Sequence, residues 1–138
     1  MHKYLNIFVV LSIALLIVTG CAAPTQSVAD AQASFCTALT TFETSVAKLG
    51  TVTVDTPQAD LQTMQKDIDK AWEDVKTAAQ ALPTAKTDNL TTAVDTLQKA
   101  VKAAPSSGSV ADASASITAA AQCVKTAIQE TKTTLSCK

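Results

Sequence analysis

From Val28 onward, apolar residues recur every three or four positions, and the recurrence is cut at Gly50, Pro57, Pro83 and Pro105. That broken pattern constrains the fold more than any other feature of the chain. Three-four spacing places side chains on one face of an α-helix. The first segment carries Val28, Phe35, Leu39, Phe42, Val46 and Leu49. Leu61, Met64, Ile68, Ala71, Val75, Ala78 and Leu82 follow, then Leu90, Val94, Leu97, Val101 and Ala104. The last stripe runs through Ile117, Val124, Ile128 and Leu135. Four amphipathic rods with short joints predict an all-α chain folded as an up-down-up-down four-helix bundle. A continuous coiled coil is the competing use of such spacing, and the Gly and Pro breaks argue against it.

The joints carry their own signals. Ser27-Val-Ala-Asp30 reads as a helix start, with Ser as N-cap and an acid three residues on that reaches back to it. Gly50 reads as a C′ stop, and Pro57 as the first residue of the second helix, where a missing N–H costs little. Pro83 ends that helix or kinks it. Ser109-Val-Ala-Asp112 repeats the first start signal, and the likeness between 27–35 and 109–117 is read as a shared start rather than a duplication. Thr51-Val-Thr-Val-Asp55 alternates like a strand but has no partner strand, so it is expected to be loop.

Composition narrows the chemistry. Arg is absent, and the only His is His2. Without residues 1–20 the remaining 118 residues hold ten Lys and twelve acids, a side-chain charge of 10 − 12 = −2. A near-neutral domain without Arg is a poor match for nucleic acid, which calls for a basic patch, and for bidentate capture of phosphate or carboxylate. A hydrolytic triad has no His for its base, and there is no Gly-rich phosphate loop. The chain is therefore expected to be non-enzymatic, with no cofactor. Phe35, Phe42 and Trp72 are the only aromatics after residue 20, so the core is expected to be thin and rich in Ala.

The first twenty residues belong to a different class. Lys3 supplies a positive start, and Leu5 to Val18 is apolar except for Asn6 and Ser12. Fourteen residues fall short of the ~20 that span a bilayer as a helix, but fit the ~7–15 of a secretory signal core. Val18-Thr19-Gly20-Cys21 closes the run. This resembles the lipobox of bacterial lipoproteins, in which an aliphatic and two small residues precede a Cys. The resemblance implies a signal peptide over 1–20 that is cleaved off, and acylation of Cys21 through a thioether. It divides the chain into that signal, a lipidated Cys with a tether over 21–26, and a helical domain over 27–138. Several acyl chains on one residue hold where a single chain binds only marginally. Residues 22–26 span less than ~20 Å, which keeps the domain near the lipid. Ala22, in place of the Asp typical of retention, implies the outer membrane in a host with two membranes. In a host with one, it implies the outer face of the cytoplasmic membrane. The expected partners are membrane lipid and an envelope protein of unknown identity. The helical part is also similar to small Ala/Thr-rich secreted bacterial proteins.

With Cys21 acylated, Cys36, Cys123 and Cys137 remain in an oxidising compartment. None is spaced as C-x-x-C, and no His accompanies them, so a metal site is not expected. Taking Gly50 and Ser109 at one end of an antiparallel pair, Cys36 and Cys123 each lie fourteen residues away and share a level. That favours a Cys36–Cys123 bond. The flanks on which the two fall do not obviously match, and Cys36–Cys137 is the alternative if the tail folds back or the helices slide.

Two further patches invite a functional reading. Asp67, Asp69, Glu73 and Asp74 crowd one segment, but Lys66, Lys70 and Lys76 interleave at ion-pair spacing, which describes a solvated face. Trp72 adjoins the apolar stripe and is expected in the core or on its flank. Together these readings predict a lipid-anchored envelope protein that acts by protein contact or as a structural component. The alternative is a module that binds a small apolar ligand between its helices, and a pocket above ~300 Å³ lined by Leu, Val and Phe would mark it.

Overall fold

A computed structural model describes residues 27–104 and 110–138. The signal, Cys21 and the tether expected over 1–26 lie outside the described residues, as does the 105–109 joint. Among the described residues there are four helices: α1 (Val28–Leu49), α2 (Gln58–Gln80), α3 (Asp88–Lys102) and α4 (Ala111–Thr134). They form an all-α bundle, with no strand among the described residues; Thr51 to Asp55 is loop. α1 packs against α2 and α4, α3 packs against α4, and α2 and α3 meet only lightly.

The apolar stripes are the core. Phe35, Leu39, Phe42, Val46 and Val75 are fully buried, as are Leu90, Val94, Ile117, Val124 and Ile128. α4 widens its stripe with Ala113, Ala120, Ala121 and Ala127. Small side chains on two adjoining faces let one helix pack against both α1 and α3. Trp72 is buried, and its ring lies 5.5 Å from that of Phe42. One stripe residue differs from expectation: Val28 is 70% exposed. It is the first residue of α1, and Ala31, one turn on, takes the core position instead.

The helix ends show which local signals act. Ser27 caps α1: its Oγ accepts from the Asp30 N–H at 3.1 Å and donates to Asp30 Oδ2 at 2.6 Å. Gly50 ends α1 as its C-cap rather than at the expected C′; its φ of −66 is right-handed, but a Cβ here would lie 3.2 Å from the Ala47 carbonyl oxygen. Pro57 is the N-cap of α2, one position before the expected place. α2 closes before Pro83 without a kink, with Ala81 as its C-cap. α4 is preceded by Val110, whose side chain offers no cap; Ser109 lies outside the described residues.

Contacts between helices set the register. Phe42 meets Trp72 and Lys48 meets Asp67, so α1 and α2 run in opposite directions. Gln32 donates to the Leu135 carbonyl, and Glu43 meets Gln129 and Lys132, so α1 and α4 do likewise. This register corrects the favoured cysteine pairing. The bond present is Cys36–Cys137, with Cα atoms 5.5 Å apart, and Cys123 is free and exposed. With 129–132 opposite residue 43, Cys123 stands level with the Gly50 end of α1. It is therefore about 20 Å from Cys36 along the axis. The two cysteines do not share a level because the start of α4 is not aligned with the end of α1; α4 is slid past it. The tail beyond α4 then turns back, with Ser136 at φ 54 and the Cys137 N–H on the Lys132 carbonyl.

Candidate functional site

The residues expected to carry chemistry are dispersed. Asp67 pairs with Lys48 of α1 at 3.5 Å, Asp74 with Lys70 at 3.4 Å, and Glu73 with Lys76 at 2.6 Å. Asp69 accepts from the Gln98 amide of α3 at 2.9 Å. Each carboxylate thus has a cation or an amide of its own. They do not share a centre, because helical geometry puts 67 and 74 on one side of α2 and 69 and 73 on the other. Among the described residues, no three His, Cys, Asp or Glu side chains converge.

Two clefts stand out among the described residues. The larger, about 770 Å³, is open and follows one side of α1 under the returned tail. Its walls include Gln32, Thr37, Thr40, Thr41 and Lys138, with both bonded cysteines at its edge. The smaller, about 260 Å³, lies between the start of α3 and the end of α4, at Lys86, Asp88, Asn89, Glu130, Thr131, Thr134 and Leu135. Neither is lined by Val or Phe, and Leu135 of the smaller is the one Leu, short of the lining that an apolar ligand between the helices requires. Those side chains fill the core.

A further arrangement joins two helices. Glu43 sits between α1 and α4, where Lys132 Nζ approaches Oε2 at 2.6 Å and Gln129 Nε2 donates to Oε1 at 2.6 Å. Both charged side chains are largely covered, 19% exposed for Lys132 and 24% for Glu43. The Lys132 hydrogen bond holds the Glu43 carboxyl below the ordinary glutamate range. Burial opposes that shift, while the Lys132 charge, Gln129 and Lys125 reinforce it. The group binds one helix to another and leaves no oxygen turned to a substrate. Only the α1–α4 register brings these residues together, so spacing within either helix gave no signal.

The chain matches no family model, no curated protein and no solved structure.

Proposed function

We propose that this chain is an exported bacterial lipoprotein, held to a membrane through acylated Cys21. On this reading it is not an enzyme, and it acts in the cell envelope by protein contact or as a structural component. The observation that carries the reading is Val18-Thr19-Gly20-Cys21 at the close of an apolar run too short to span a bilayer. Only a sulfur nucleophile at that position can form the thioether, and the small residues before it leave room for the processing enzymes. Two further observations support it. A Cys36–Cys137 bond suits an oxidising compartment. The Ser27 cap of α1 lies six residues after Cys21, so folded structure follows the anchor closely. Ala22 directs the protein to the outer membrane of a two-membrane host, or to the outer face of a single membrane. The contact role is preferred to an apolar ligand because neither cleft is lined by Val or Phe, and Leu135 is the one Leu in either.

The test is an intact, non-reduced mass of the protein extracted from its host's membranes. The expected species starts at Cys21, carries added acyl mass and is two hydrogens light. Cys21→Ser is expected to abolish the acyl mass and leave the signal attached. A wild-type mass that starts at Met1 without acyl groups would remove the basis for the reading.

A further inference from the structure

Resting on that lipoprotein reading, we propose that the bundle stands end-on at the lipid surface, with Val28 set into the interface and Cys123 held at the far level. Three segments share the near end. Gln32 donates to the Leu135 carbonyl and Cys36 bonds Cys137, which brings the tail of α4 to the start of α1. Lys86, Asp88 and Asn89 share a cleft with Thr131, Thr134 and Leu135, which brings the α2–α3 turn to the same end. Residues 22–26 span less than about 20 Å, so an acyl group on Cys21 keeps this end, and no other, beside the lipid.

The exposed apolar groups favour the same posture. Two large apolar side chains are exposed among the described residues, Val28 at 70% and Val54 at 52%. Val28 follows the α1 cap at the near end; Val54 lies in the α1–α2 loop at the other. The flanks between them offer lipid nothing. α1 presents Thr37, Thr40, Thr41 and Thr44, and α2 presents the Lys–acid pairs. A bundle lying on its side would press hydrated ion pairs and hydroxyls against the membrane without burying apolar surface, and interfacial attachment depends on such burial. Standing on end puts Val28 at the lipid and leaves both flanks in water. Charges of both signs occupy the near end, Lys86 and Lys138 with Asp30 and Asp88, so the acyl chains and Val28 hold the posture rather than anionic lipid.

The posture has a measurable height. α1 rises about 33 Å over its 22 residues, and Cys123 is level with its far end. Cys123 is also the free thiol of the described chain. The acylated full-length mature protein would be labelled with a thiol-specific fluorophore and placed in phosphatidylethanolamine–phosphatidylglycerol vesicles carrying acceptor-labelled headgroups. The expected result is one label per chain and a single donor–surface separation above about 30 Å. Val28→Asp, at a site outside the core, is expected to shorten and broaden that separation. Two labels per chain with no acyl mass would show Cys21 unmodified and defeat the anchor and the posture together. One label with a shorter separation, or with a broad spread from a bundle swinging on its tether, would overturn the posture and leave the anchor standing.

Discussion

Glu43 is the one carboxylate of α1 that faces another helix; Asp30, the other, serves the N-cap. Its pKa is lowered in the fold by the Lys132 hydrogen bond. The folded protein therefore binds this proton less readily than the unfolded chain does. Its contribution to stability is complete above the ordinary glutamate value and is lost as pH falls through the lowered one. Glu43→Gln is expected to cost about 1 kcal/mol at pH 7. Urea midpoints taken at a series of pH values should show the gap between the two proteins closing in acid; a gap that does not change would mean the pair does not clamp α1 to α4. Ser27→Ala removes the acceptor for the Asp30 N–H and is expected to cost about 1 kcal/mol. Hydrogen exchange should place the loss in the first turn of α1, with α2 unaffected.

At the scale of the helix, the chain builds its rods from many threonines, which disfavour helix relative to alanine because their branched side chains lose freedom. Thr37, Thr40, Thr41 and Thr44 each donate a hydroxyl to the carbonyl four residues back, so the helix satisfies them internally. Replacing Thr37, Thr40 and Thr44 together by Ala is expected to stabilise the fold by about 1–2 kcal/mol, seen as a higher thermal midpoint. If the midpoint falls instead, these hydroxyls contribute more than local satisfaction. In the core, Phe42→Ala removes the partner of Trp72 and is expected to cost about 3–5 kcal/mol. That is a large share of the ~5–15 kcal/mol typical of a domain, and Trp72 fluorescence should report the loss. The stripes were legible in the sequence because burial selects one face at a fixed period, and Phe35, Leu39, Leu90 and Val94 lie where that period puts them. Helix starts are legible where the residue itself favours the position, as Ser27 does by its hydroxyl and Pro57, to within one place, by its fixed backbone. The Ser27 hydroxyl marks the start of α1, whereas α4 begins after Val110, which has no capping group to read.

For the whole molecule, the decisive quantity is the sliding of α4 along α1, which no single stripe encodes. It decides that Cys36 meets Cys137 and that Glu43 meets Lys132. Both meetings were therefore hidden in a sequence whose helices were plain. The Cys36→Ser, Cys137→Ser double variant is expected to lose about 2–4 kcal/mol of stability. Cys123→Ser is expected to leave the urea midpoint unchanged, because its thiol is unbonded and exposed. Equal losses in the two proteins would assign the structural bond to the wrong cysteines. The bond spans 101 positions and turns nearly the whole described chain into a closed ring with two short ends. A pull applied between residue 21 and residue 138 travels down the first turns of α1, crosses the sulfur bridge and leaves by the tail. The core residues from Leu39 to Ile128 carry none of that load. A protein tugged at its lipid end would pay out only a few turns of helix before the covalent ring took the strain, and its folded body would stay whole until a reductant cut the bridge.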